Sequence, residues 1–349
     1  MEKPNTIKKD SYTTYSPARK IGSFYKLLEG ENLGKLRVLT YHRVLPPSEA
    51  GHLDPRTISA DPVIFEKHMR FLKKHFRVLR IEEILSAIYN GEPLPPKSIW
   101  LTFDDGGIDF YKFARPVLKA LGLTATVFVP TAFPEEPFRP FWWDQIYHSI
   151  KFKKAPLTAI RDLFPQAFST NSDELSLVKD LQQWLKNTPV KELEQMVQHI
   201  RQVLESPEIN CQNVMNWSQL EEIQSEGFSV GAHTHNHAIL TRLPYNEMKL
   251  EVELSLTRLY QKLGIELPIF SYPNGNYNRE VLQVMGENKV VLAVTCDDGI
   301  NRIGRENPLT LKRSDITRKT GPFLFKLRVQ PFFAKIDEIR HRPKSRTEY

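Results

Sequence analysis

The run Ser98-Ile99-Trp100-Leu101-Thr102-Phe103 carries no charge and stops abruptly at Asp104. An uninterrupted apolar segment of this length suits a strand buried on both faces, as in a parallel sheet. Comparable runs recur at Leu36-Arg37-Val38-Leu39-Thr40-Tyr41, Thr124 to Val129, Phe228 to Val230, Ile269 to Tyr272 and Val290 to Val294. Between them lie stretches with helical spacing. Asp61-Pro62 reads as an N-cap followed by proline at the first helical position, with Phe65, Met69, Leu72 and Phe76 as its apolar stripe. Ile84, Leu85 and Ile88 give a second helix that stops near Gly91, and another stretch runs from about Tyr111 to Leu121. A longer helix is expected from about Asn246 to Leu263, with Val252, Leu256, Leu259 and Leu263 on one face. Repeated alternation of strand and helix predicts an α/β fold, either a parallel sheet or a barrel.

One region breaks the alternation. Residues 133–211 are rich in proline at first and then carry polar helical patterns, Leu175 to Leu185 and Lys191 to Leu204. This reads as a mostly helical insertion after a strand end, where loops build active sites in α/β folds. Its start is aromatic, with Phe138, Phe141, Trp142 and Trp143. The expected organisation is a polar extension over 1–35, a catalytic barrel over 36–320 containing the insertion, and a basic tail over 321–349. The net charge of +7 is uneven: Arg302 to Tyr349 holds 13 Lys/Arg against 5 Asp/Glu. The expectation is a solvated tail, with weak peripheral membrane contact as the functional alternative. No common nucleic-acid motif is present, so no nucleic-acid partner is expected. Two distant cysteines, Cys211 and Cys296, exclude a disulfide framework and a cysteine zinc site. Neither a signal peptide nor a transmembrane run is evident, so the expected location is cytoplasmic or peripheral at the inner face of the membrane.

Three of the ten histidines fall within Gly231-Ala232-His233-Thr234-His235-Asn236-His237. His233 and His237 stand four positions apart, and on a helical turn both point to one side and can share an ion. His235 falls on another face. Far upstream, Asp104 and Asp105 end the apolar run and precede Gly106-Gly107, which permits a sharp turn. Adjacent carboxylates repel unless a cation lies between them. With an ion present, one aspartate ligates and the other is left as a general base. A second Asp-Asp-Gly, Asp297-Asp298-Gly299, also follows an apolar strand. The triplet alone is therefore ordinary turn chemistry, and the histidines are what distinguish the first copy.

Thr102-Phe103-Asp104-Asp105-Gly106 resembles the first signature of the polysaccharide deacetylases (the NodB homology domain, carbohydrate esterase family 4). His233-Thr234-x-x-His237 resembles the second signature, and Phe270-Ser271-Tyr272-Pro273-Asn274-Gly275 the third. Leu39-Thr40-Tyr41-His42-Arg43-Val44 resembles the N-terminal strand of bacterial members linked to exopolysaccharide biosynthesis. The resemblance implies a distorted (β/α)7 barrel and a hydrolase acting on carbon–nitrogen bonds, removing acetyl groups from a polysaccharide, glycan or glycan precursor. It implies Asp105, His233 and His237 as ligands of a divalent metal, zinc first, with Co2+, Ni2+ or Fe2+ also suited. Asp104 becomes the base and the Asn274 turn an oxyanion contact. The sequence departs from the pattern twice. Ser271 stands where the third signature usually has arginine, and Leu309 to Ile316 lacks the usual C-terminal histidine. His42 is then the candidate general acid. Tyr272, Pro273, Trp142 and Trp143 are expected to bind substrate, while Asp144 contacts substrate or caps a helix, and Arg313 could orient a carboxylate. Two alternatives remain, an amidase acting on a small non-sugar substrate and an inactive glycan-binding barrel.

Overall fold

The computed structural model describes residues 34–164 and 173–330. Residues 1–33, 165–172 and 331–349, including most of the expected extension and tail, lie outside the described residues.

The central sheet is built from parallel strands β1 (Lys35–Tyr41), β5 (Ser98–Phe103), β6 (Thr126–Val129), β7 (Ser229–Ala232), β8 (Ile269–Ser271) and β9 (Leu292–Val294), paired in that order. The short strand β4 (Arg77–Val78) adds to β5, and β10 (Asn301–Arg302) runs antiparallel beside β1. A separate pair, β2 (Arg43–Val44) and β3 (Ile58–Ala60), extends the loop after β1. The sheet curls back on itself through one segment. Leu311 bridges to Val294 of β9, and three residues later β11 (Ser314–Asp315) pairs with Leu39 and Thr40 of β1. A seventh staff this short makes the barrel distorted. β5 is buried at all six positions, as its unbroken apolar sequence requires. Its Trp100 indole donates to Thr126 Oγ1 at 2.8 Å, so burial leaves no donor unpaired there.

Helices α1 (Pro62–His75), α2 (Ile81–Asn90), α3 (Arg115–Leu121), α8 (Trp217–Ser225), α9 (Tyr245–Leu263), α10 (Arg279–Glu287) and α11 (Pro322–Arg328) pack around the sheet. Asp61 caps α1 by accepting the Val63 and Ile64 N–H groups, and Pro62 occupies the first helical position. The stretch expected from Tyr111 is not uniformly α-helical, because a π-helical turn spans Phe110–Ala114 before α3 begins. Among the described residues no helix is long and apolar enough to cross a membrane.

The insertion forms α4 (Trp142–Lys151), α5 (Thr158–Leu163), α6 (Glu174–Lys186) and α7 (Val190–Val203). These helices bury a small apolar core of their own, including Ile146, Ile150, Leu177, Leu181, Leu185, Val197 and Ile200. That core is separate from the barrel core, in which Phe65, Phe103, Val127, Val230 and Phe270 meet. A buried ion pair fixes the insertion to the barrel. Arg43, just after β1, grips Asp144 of α4 with two hydrogen bonds of 3.2 and 2.6 Å, and the Asp54 N–H donates to the same carboxylate at 3.1 Å. Asp144 therefore neither faces substrate nor caps its helix.

Candidate active site at the ends of strands β5, β7 and β8

The chemistry-bearing residues sit where the parallel strands end. Phe103 closes β5, and Asp104, Asp105 and Gly106 turn away from it. Asp105 and Gly106 both have positive φ, 69° and 63°. A Cβ on Gly106 would approach both Val129 methyls to 3.1 Å, so the turn needs glycine there. Left-handed backbone also occurs at Thr234 (φ 61°), His237 (59°) and Asn274 (58°), which lie in the loops after β7 and β8. Non-glycine residues rarely hold this conformation, and where they do they gather at functional sites.

His233 and His237 come together by a different route from the one their spacing suggests. The loop after β7 is not helical, and no helical turn carries the pair. Left-handed residues at Thr234 and His237 fold the loop back instead, with Thr234 Oγ1 accepting the Ala238 N–H at 3.0 Å. The two imidazoles end with ring centroids 4.7 Å apart. His237 Nε2 lies 3.2 Å from Asp105 Oδ1, and His233 Nε2 lies 3.6 Å from the same oxygen. All three ligand atoms lie within 4.8 Å of one another.

The orientation of His233 is fixed from behind. Its Nδ1 lies 2.7 Å from the Ser271 carbonyl, an acceptor only, so Nδ1 carries a proton. Burial pushes the His233 pKa down to about 4, so the ring is neutral near pH 7 and Nε2 presents a bare lone pair. That lone pair faces the Asp105 carboxylate. Asp105 itself is held well below the usual carboxylate range: burial works against ionisation but is outweighed by the His237 hydrogen bond and by the neighbouring histidine charges. A lone pair directed at a carboxylate in a buried site is unfavourable until a cation stands between them. Second-hand support of a ligand histidine by a backbone carbonyl is the usual way such a ring is oriented. The donor set thus fits a divalent ion, which Asp105, His233 and His237 would hold.

Asp104 is outside this triad. Its two oxygens accept from Arg313 Nη1 and Nη2, both at 2.7 Å, and Oδ2 also accepts from Ser271 Oγ at 3.2 Å. Burial alone would raise its pKa, but the Arg313 charge and hydrogen bonds bring it down to about 2. Arg313 is buried, and its Nε donates to the Thr295 carbonyl at 2.8 Å. The sequence marked Arg313 only as a residue able to orient a carboxylate. Here it supplies the charge missing at Ser271, from a strand end on the other side of the barrel seam. The second Asp-Asp-Gly is structural: Asp298 accepts from Ser314 Oγ at 2.6 Å and from Arg328 at 3.2 Å.

The other expected site residues divide. The His42 ring is one-third exposed (33%) and its Nδ1 lies 3.7 Å from Asp315 Oδ1, while the His42 backbone N–H donates to Ser59 Oγ at 2.9 Å. The residue before it, Tyr41, accepts the Asp104 N–H at 3.0 Å, so His42 follows the strand end next to the Asp104 turn. Trp143 lies 4.8 Å from His237 and stacks on Phe141 at 4.5 Å, forming an aromatic wall at the triad. Trp142 instead packs against the insertion core, because neighbouring positions on a helix face different ways. Tyr272 is fully buried and its hydroxyl donates to the Leu309 carbonyl at 2.9 Å, so it supports the groove wall from behind rather than touching substrate. Pro273 is buried in the same turn. Asn274 is exposed, and the next residue, Gly275, packs so closely on Cys296 that a Cβ would come within 2.5 Å of its backbone nitrogen.

The profile of the polysaccharide deacetylase family matches residues 91–162 and 208–293. The chain belongs to the polysaccharide deacetylase family. The matched residues contain Asp104, Asp105, His233, His237 and the Asn274 turn, and they skip the middle of the insertion. As a polysaccharide deacetylase it is a hydrolase of the class that cleaves N-acetyl carbon–nitrogen bonds. A relative among curated proteins, YxkH of Bacillus subtilis (strain 168), also bears the name polysaccharide deacetylase. It is 22% identical over 273 residues, 78% of this chain and 68% of that protein. Solved structures share the fold. The Streptococcus pyogenes deacetylase PplD, in complex with acetate, superposes with a TM-score of 0.57 at 23% identity, covering 85% of this chain and 99% of PplD. IcaB from Ammonifex degensii gives a TM-score of 0.55 at 18% identity, covering 85% of this chain and 97% of IcaB.

Proposed function

We propose that this polysaccharide deacetylase is metal-dependent and removes N-acetyl groups from a glycan or glycan precursor, with Asp104 as general base. The observation that carries the reading is the convergence of Asp105, His233 and His237, whose ligand atoms lie within 4.8 Å of one another. The Ser271 carbonyl holds His233 Nδ1 from behind, which leaves Nε2 turned to Asp105 and suited to a shared cation. Asp105, His233 and His237 hold the ion, zinc being the first candidate. A divalent ion there supplies a Lewis acid that polarises the acetyl carbonyl and acidifies water.

The chain's own residues do the rest. Asp104, kept ionised by Arg313, accepts a proton from the attacking water. The water oxygen adds to the acetyl carbon, and the oxyanion that forms is met by the Asn274 N–H in the turn after β8. The Gly275 N–H is already used by the Tyr272 carbonyl at 2.8 Å, so Asn274 is the donor left to the turn. His42, steadied by Asp315, donates a proton to the departing amine nitrogen as the carbon–nitrogen bond breaks. Free amine and acetate result. Trp143 shields the triad on the insertion side and offers a face for a sugar ring.

Acetate release from acetylated chito-oligomers, measured with and without chelator, tests this reading. Release should cease on chelation and return on adding Zn2+. Full activity in the chelated, metal-free protein would overturn it.

A further inference from the structure

The insertion does more than cover one edge of the site. Within a single turn, helix α6 bonds to loops that follow β1 and β8. Gln182 donates to Asp54 Oδ2 at 3.0 Å and to the Trp143 carbonyl at 2.8 Å, and it accepts from Arg56. Asp54 and Arg56 belong to the long loop after β1. One turn later Lys186 Nζ donates to Asn274 Oδ1 at 3.2 Å, in the loop after β8. The following residue, Asn187, accepts from Arg242 Nη2 at 3.0 Å, in the loop after β7. In the barrel, β5, β6 and β7 separate β1 from β8 on one side, and β9 with the Leu311–Asp315 segment separates them on the other. Helix α6 therefore ties together loops that follow strands which are not neighbours along either path round the sheet.

Beside His237 the insertion places the stacked rings of Phe133, Phe141 and Trp143. At the ends of β1 and β11 lie partly exposed His42 and half-exposed Asp315. We propose that α6 lies over the barrel mouth as a crossbar, so that a long glycan cannot thread the site while a chain end entering from the His42 side can, and that it thereby restricts the enzyme to terminal sugars and short acetylated substrates, with Lys186 as a specificity-determining residue. This rests on the deacetylase reading above.

Fully N-acetylated chito-hexaose and the free N-acetyl sugar are the probes, with the position of deacetylation mapped by tandem mass spectrometry. The expected wild-type result is acetate from the free sugar, and from only one terminal residue of the hexamer. In the full chain carrying Lys186→Ala with Arg242→Ala, release at internal residues should rise at least tenfold relative to the terminus. Melting curves for both proteins establish that the variant is folded. Internal and terminal release within twofold of each other in the wild type would overturn the crossbar. So would a folded double variant that remains restricted to the terminus. No release from any probe would instead overturn the deacetylase reading, and the crossbar with it.

Discussion

Replacing Asp104 with asparagine should lower kcat by about 10²–10⁴-fold, the usual worth of a positioned general base, while metal binding persists. The two effects separate because Asp104 is not among the residues that converge on the metal site. Asp105, His233 and His237 keep their mutual geometry without it, since His233 is held by the Ser271 carbonyl and the Asp105 turn by its own backbone. Asparagine is nearly isosteric and can still accept one hydrogen bond from Arg313. The change is thus chemical rather than a collapse of the site. Single-turnover acetate release with parallel metal analysis checks it. Retained activity in Asp104→Asn would remove Asp104 from the mechanism, whereas loss of the metal would place it among the ligands.

Arg313→Ala has the larger structural consequence. It leaves a buried carboxylate without its bidentate partner. Breaking a buried pair from one side costs about 3–5 kcal/mol, which denaturant unfolding of the full chain would read. The pH consequence follows from the same contact. In the wild type the folded pKa of Asp104 is depressed to about 2. Its contribution to stability is therefore complete above the unfolded carboxylate pKa of about 3.9 and is lost as pH falls through about 2. Without Arg313, burial dominates and the Asp104 pKa rises above the ordinary carboxylate value. The acid limb of kcat/KM should then move to higher pH, so that activity disappears earlier on acidification. Arg313→Lys should restore part of the charge without the two-pronged geometry. An unshifted acid limb in a folded Arg313→Ala protein would show that Arg313 does not act through Asp104.

The sequence reveals this site unevenly, for physical reasons. Asp104 and Asp105 are legible because an apolar β5 ending in two carboxylates and two glycines is a local pattern. His233 and His237 are legible as a pair, yet their helical spacing is incidental: left-handed Thr234 and His237 bring the rings together in a loop. Arg313 is scarcely legible, because its partner lies 209 residues away and the contact exists only once the barrel curls back on β1. The absence of arginine at Ser271 was the available signal that another cation must approach Asp104. Trp142 and Trp143 look equivalent in the chain and part company because successive helix positions point in different directions. The insertion announces its helices through their apolar stripes. Its attachment to the strand-end loops depends on exposed polar contacts such as Lys186 with Asn274, which leave no periodic trace.

Asp105, His233 and His237 are together expected to bind one divalent ion. The most direct measurement is the metal content of the purified full-length chain after exhaustive dialysis, alongside His233→Ala and Asp104→Asn. One ion per chain is expected in the wild type and in Asp104→Asn, with loss in His233→Ala. Equal metal content in wild type and His233→Ala, or none in either after incubation with Zn2+, would contradict the account.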